Sequence, residues 1–303
     1  MVIIMKKTRK AITIILLILL LTGIFSLRSG AETIYVVDGY SYTFIDNNSI
    51  SLYAWDHSSD VLMVADEIMG RPITAVADRS FKNDDQLHAI DFSAASQMVS
   101  IGIESFYQSG LSQKLTIPST VVSIGERAFE NCENLPAVDI FANVEVIPAQ
   151  CFNNCASLSE VTLPENLLSI QKFAFANCPN LLYVALPRSI MSIAKTAFSN
   201  DSSLTVGVWY DSYGYEYAIA QNIPYVLLDE VKLGDANGDS SVNINDVTTI
   251  QCHLAELETL EGIYLHAADA NQDGTVDIAD ATIIQMYLAE YEMEYPIGEV
   301  MTQ

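Results

Sequence analysis

Histidine is nearly missing from this sequence: there are four in 303 residues, His57, His88, His253 and His266, and none between residues 89 and 252. A Ser–His or Cys–His nucleophilic pair inside that stretch is therefore excluded, and one could be built only from its rim. No G-x-S-x-G turn and no phosphate-cradling glycine loop occurs either. Carboxylates such as Glu126, Glu145 and Glu160 fall at unrelated positions of the repeat described below, so they read as solvated surface and not as a glycosidase pair. Positive charge is equally short. The chain has 14 Lys and Arg against 38 Asp and Glu. Five of the bases (Lys6, Lys7, Arg9, Lys10 and Arg28) and none of the acids lie in the first 31 residues, which leaves 9 against 38, a net charge of −29. Such a chain repels phosphate backbones and anionic lipid surfaces, so nucleic acid is excluded as a partner and a multivalent cation is favoured.

Long apolar runs are limited to one, "AITIILLILLLTGIF". It follows the four clustered bases and is succeeded by small residues ending at Ala31. Residues 1–31 are expected to be a secretory signal peptide. No Cys follows the run for a lipid anchor, no second apolar span exists, and no C-terminal sorting motif is present. The mature chain is expected to be secreted and extracellular, with no membrane partner after signal cleavage.

What the middle of the chain has is a period. Phe106, Phe129, Phe152, Phe175 and Phe198 are each 23 residues apart, and so are Ile101, Ile124, Ile147, Ile170 and Ile193. A third ladder runs through Cys132, Cys155 and Cys178 to Asp201. Between these, L-x-x-V-x-(L/I) recurs as Leu135, Val138, Ile140, as Leu158, Val161, Leu163 and as Leu181, Val184, Leu186. One coil cannot bury its apolar side alone, so the coils stack and the Ile, Phe and Leu ladders become continuous internal columns. Each coil is expected to hold a short strand and a helical or 3₁₀ segment. The strands then form a parallel sheet at ~4.8 Å spacing. Asp91, Thr116, Asp139, Thr162 and Ala185 would face outward from it, beside Ala89, Lys114, Ala137, Glu160 and Tyr183. Three cysteines on neighbouring coils cannot all pair, and a reduced, buried ladder is expected.

Read through "SIGERAFENCENLPAVDI", "LPENLLSIQKFAFANCPNL" and "LPRSIMSIAKTAF", the chain resembles the BspA-like leucine-rich-repeat family over about residues 60–228. Residues 32–70 are similar to the strand-rich cap that begins such arrays. The rest, 71–228, would hold the repeats and a closing segment around "YGYEYAIAQNIPYVLL". The resemblance implies a surface or secreted protein used for adhesion and protein binding.

Residues 235–246, "DANGDSSVNIND", repeat at an offset of 34 as "DANQDGTVDIAD". Asp235, Asn237, Asp239, Ser241, Asn243 and Asp246 stand at positions 1, 3, 5, 7, 9 and 12 of a calcium loop. Asp269, Asn271, Asp273, Thr275, Asp277 and Asp280 stand there in the second. Position 7 supplies a backbone carbonyl and the others side-chain oxygens, the hard donors that Ca²⁺ requires. Apolar residues follow at helical spacing: Val247, Ile250, Leu254 and Leu257, then Ala281, Ile284 and Leu288. Position 12 is Asp and not the Glu of an EF-hand, and no clear helix leads into either loop.

That duplicated loop–helix unit, residues 233–291, resembles a type I dockerin, with 292–303 left as a C-terminal tail. The resemblance implies two bound Ca²⁺ ions and a cohesin module of a scaffoldin as partner, in a cellulosome assembly that degrades plant polysaccharide. Cohesin contacts carry over to Ile244, Asn245, Gln251, Cys252 and Glu256, and to Ile278, Ala279, Gln285, Met286 and Glu290. The fold expected is an α+β repeat solenoid with parallel strands along one side, followed by a small all-α calcium-binding dockerin. The function expected is that of a secreted, non-catalytic protein whose array binds an unknown protein or glycan. The alternative is an accessory enzyme or protease inhibitor carried by residues 32–228.

Overall fold

The computed structural model describes residues 17–18, 25–29, 32–37, 39–45, 49–57, 59–210 and 212–301. They fall into two compact units, Met1–Val184 with Met191–Leu204, and Ala185–Ile190 with Thr205–Gln303. The expected signal peptide lies largely outside the described residues. Its end, Phe25–Ser29, is placed as a strand antiparallel to Glu32–Val37 in the uncleaved chain. No helix among the described residues is long and apolar enough to cross a membrane.

The first unit opens with an antiparallel meander, Glu32–Val37, Tyr40–Phe44 and Ile50–Trp55. Ile50–Trp55 then pairs in parallel with Arg71–Val76, and from there all coil-to-coil pairing is parallel. One ladder contains Leu115–Ile117, Ala137–Ile140 and Glu160–Thr162, with register partners such as Leu115 and Val138 separated by the 23-residue period. The period also builds a second ladder that we did not expect: Ser100–Ile101 with Ser123–Ile124, and Val146–Ile147, Ser169–Ile170 and Ser192–Ile193. The coil's third side, expected to be helical or 3₁₀, is a run of turns. The reason is local: in five successive coils two residues there have left-handed backbone, for example Arg127 and Asn131 at φ 59° and 60°, and in the next Asn200 does. Asparagine tolerates that conformation better than other side chains, and Asn83, Asn131, Asn154, Asn177 and Asn200 all adopt it.

Inside the coils, Phe81, Phe106, Phe129, Phe152, Phe175 and Phe198 form one column of near-parallel rings with centroids 5.2 to 5.6 Å apart. Offset stacking at this distance adds to the burial energy of each ring. The cysteine ladder is buried and its thiols are free. The Sγ atoms of Cys132, Cys155 and Cys178 each donate to a carbonyl 26 residues back, those of Phe106, Phe129 and Phe152, at 3.2 to 3.3 Å. Burial pushes the Cys132 and Cys178 thiols up to about 11 and about 12. They serve as hydrogen-bonded core groups, since a nucleophile would need a thiolate.

On the turn side, Glu104 is buried among Arg79, Lys82 and Arg127. Hydrogen bonds from Lys82 and Arg79 pull its carboxyl down to about 2. Three of the chain's few bases thus neutralise this acid, and Arg127 also pairs with Glu130.

In the second unit, Thr205–Val208 and Tyr225–Leu227 pair in parallel, joined by helix α1, Tyr213–Gln221. Ser212 caps its start and the left-handed Asn222 its end. Helices α2 (Ile244–Leu254), α3 (Gly262–Ala268) and α4 (Ile278–Leu288) follow. Val247 and Ile250 of α2 share one buried cluster with Ala281 and Ile284 of α4, filled out by Leu233, Leu260 and Ile297.

Candidate functional site

Both loops close on their own carboxylates. In the first, Asp235 accepts from the backbone N–H groups of Gly238, Asp239 and Ser240 at 2.9, 3.2 and 2.9 Å. Asp246 accepts from Asn237 at 3.1 Å and from Asn243 at 2.7 Å. The second loop repeats this: Asp269 accepts from Asp273 and Gly274 at 3.1 and 2.8 Å, and Asp280 from Asn271 and Asp277 at 3.1 and 2.8 Å. Backbone amides thus fix the first and last acid of each loop, while Asp239 and Asp273 accept from Ser241 and Thr275 at 2.9 and 3.0 Å.

The helix starts give position 12 a second role. Asn243 and Asp277 are N-caps, each forming a capping box with the acid three residues on, Asp246 or Asp280. The acid there caps a helix and closes the loop at once. Asp246 and Asp280 are fully buried, and burial raises both carboxyls above their usual range, with Asp235 and Asp239 adding repulsion at Asp246 and Asp269 and Asp277 at Asp280. A cation in the loop would relieve that cost. Among the described residues no three His, Cys, Asp or Glu side chains make a metal group by themselves. A cation held there would have to draw also on amide and carbonyl oxygens, for which Asn237 or Asn271 and Ser241 or Thr275 stand in place. An all-oxygen set of acids, amides and carbonyls suits Ca²⁺ and no soft metal.

Three features of the module were not expected. Helix α3 ends at Ala268 and leads directly into the second loop, which corrects the expectation that no helix enters either one. Its Tyr264 ring lies where a Cβ on Gly238 would come within 2.5 Å, so a side chain at position 4 of the first loop would have to displace that ring, whereas the second loop has Gln272. Residues 292–301, set apart as a tail, close back on the module: Ile297 is in the core, Leu233 N–H donates to Glu299 O and Met301 N–H to Val231 O at 2.9 Å each. Leu254, Leu257 and Leu288, counted as apolar helix faces, are exposed. Two helices offer room only for their central residues, and the tail fills the remaining space.

The ten expected contact positions all lie on α2, α4 or just beyond them. Nine are exposed and Cys252 is half-buried.

Residues 74–205 match the family "BspA type Leucine rich repeat region", in six copies, and residues 233–289 match "Dockerin type I domain". The chain joins a BspA-type leucine-rich-repeat array to a type I dockerin. Both are non-catalytic modules, and type I dockerins bind calcium. No curated protein matches the chain. Among solved structures, the array is similar to a leucine rich cell surface protein from Faecalibacterium prausnitzii, at 21% identity and TM-score 0.38, over 57% of this chain and 54% of that one. A leucine rich repeat protein of T. pallidum gives 22% and 0.39 over 57% and 70%. One from Eubacterium ventriosum gives 22% and 0.41 over 54% and 50%. The chain thus spans about half the length of the first of these.

Proposed function

We propose that this chain is a secreted, non-catalytic protein that attaches through its dockerin, loaded with two Ca²⁺ ions, to a cohesin module of a cellulosome-type scaffoldin. Its array then serves as a surface for a protein or glycan partner at a site of polysaccharide breakdown. Bound calcium supplies the positive charge that offsets the loop acids. The chain's own groups do the rest: backbone amides orient Asp235 and Asp269, and the capping boxes tie each loop to the helix that carries the contact positions.

The observation that supports docking best is the duplicated exposed face. Ile244 and Ile278 are 57% and 60% exposed, although both are large and apolar. Gln251 and Gln285, and Glu256 and Glu290, are identical pairs, and only Asn245 and Ala279 differ clearly. The exposed Leu254 and Leu257 recur as exposed Leu288 and Tyr291 at the same offset. Two similar faces on one module support cohesin binding in two orientations related by a half-turn. The test is to reverse charge or insert bulk on each face separately and then on both. Two single variants near wild-type affinity and a double variant without binding fit two modes. One single variant that abolishes binding rejects them.

A further inference from the structure

Phe141 breaks the repeat where the fold gains nothing from it. Pro118, Pro164 and Pro187 occupy the same position in other coils, yet Phe141 is left 57% exposed. It lines an open cleft of about 520 Å³ together with Asn143, Thr162, Glu165 and Asn166. The cleft crosses two coils, and the side chains link across it: Asn166 Nδ2 donates to Asn143 Oδ1 at 2.7 Å and Thr162 Oγ1 to Asp139 Oδ1 at 2.9 Å. The amide pair uses one acceptor of Asn143 and one proton of Asn166, so each amide keeps its other group for a ligand.

Three observations narrow that ligand. An extended peptide would need a free sheet edge, but here strand Ala137–Ile140 is paired on both sides, and the Phe141 and Asn143 N–H groups donate to Ile117 and Val121. An anionic chain would meet the exposed Glu165; Lys114 is held by Asp139 at 2.8 Å, and Arg188, one period after Glu165, lies over the Trp209 ring. What the cleft offers is an aromatic face set among amide, hydroxyl and carboxylate groups, which matches a ring with C–H faces and hydroxyl edges.

We propose that this cleft binds a neutral polysaccharide, with a sugar ring stacked on Phe141 and its hydroxyls held by Asn143, Glu165 and Asn166. This rests on the array being an interaction surface, and it names the ligand class and the place.

The test is affinity electrophoresis of residues 32–303 in calcium through gels holding xyloglucan, glucomannan or mixed-linkage β-glucan, with polygalacturonate as the anionic arm. Phe141→Pro installs the residue found in other coils and gives up the Phe141 N–H bond to Ile117 O; Asn166→Ala is the second variant and keeps every backbone bond, and the folding of both is checked by thermal midpoint. The proposal expects retardation by at least one neutral polysaccharide and none by polygalacturonate. It expects an affinity loss of about tenfold in Phe141→Pro, the scale of one lost ring stack, and weaker binding in Asn166→Ala. Retardation by no neutral polysaccharide overturns it, and so does stronger retardation by polygalacturonate. Glycan binding that survives both substitutions overturns this cleft while leaving the array's interaction role standing. Cohesin capture by the same variants, expected unchanged, separates the cleft from the dockerin.

Discussion

Ser240, at φ 69°, holds the loop position that Gly274 fills at φ 91° in the second loop. A side chain with a Cβ costs ~1–2 kcal/mol in that conformation. Ser240→Gly is therefore expected to tighten calcium binding at the first loop several-fold in titration calorimetry, and an unchanged affinity would count against the strain. Asp201 is the second residue out of character with its surroundings. It stands in the cysteine ladder, accepts from Cys178 N–H at 2.6 Å, and its Oδ2 has no partner. Burial raises its carboxyl to about 7 from an ordinary 3.8. Its folded pKa thus lies above the unfolded one. Below about pH 4 both states are protonated and nothing is lost; stability falls as pH rises from there through 7, by at most about 1.4 kcal/mol for each pH unit crossed. Asp201→Cys restores the repeat, with its Sγ expected to donate to Phe175 O. The variant should melt higher than wild type at pH 8 and close to it at pH 3.5; an equal gain at both pH values would contradict the burial argument.

Among the elements, the phenylalanine column is the array's spine. Phe152→Ala removes a fully buried ring stacked on both sides and is expected to cost ~3–5 kcal/mol in denaturant unfolding. A loss below ~1 kcal/mol would mean that the coils collapse to fill the gap. This column was legible in the sequence because a 23-residue period admits one reading, and the calcium loops were legible because their donors alternate twice in register. Other elements carry no such signal. Helix α3 is seven residues long and its N-cap, Glu261, makes no side-chain cap, so neither length nor start marks it. The closing tail shows only scattered apolar residues, and Ile297 shares its cluster with Leu233, Val247 and Ile250, which are remote in sequence. The exposed Leu254, Leu257 and Leu288 continue the helical period past the point where the core can cover them. The serine–isoleucine ladder was hidden because two-residue strands have no alternation to read. The turns replaced the expected helical segments because repeated left-handed residues end any helix.

At the level of the whole chain, a net charge of −29 over residues 32–303 means that folding gathers acids against their repulsion. The cost is concentrated in the dockerin, where Asp235, Asp239, Asp246, Asp269, Asp273, Asp277 and Asp280 crowd about sixty residues, with Glu230 just before them. A core that small is marginal without metal. Chelation is expected to abolish the helical signal of α2 and α4 and to leave the unfolding transition of the first unit, which contains no loop ligand, in place. Loss of both transitions would contradict that division. The central claim is attachment through the loaded dockerin, and calorimetry of residues 32–303 against scaffoldin cohesin modules, with calcium and with chelator, tests it most directly. The account predicts one-to-one binding to at least one cohesin in calcium, abolished by chelator and by the combined Asp235→Ala and Asp269→Ala substitutions. Failure to bind any cohesin in calcium, or binding indifferent to the chelator, would contradict it.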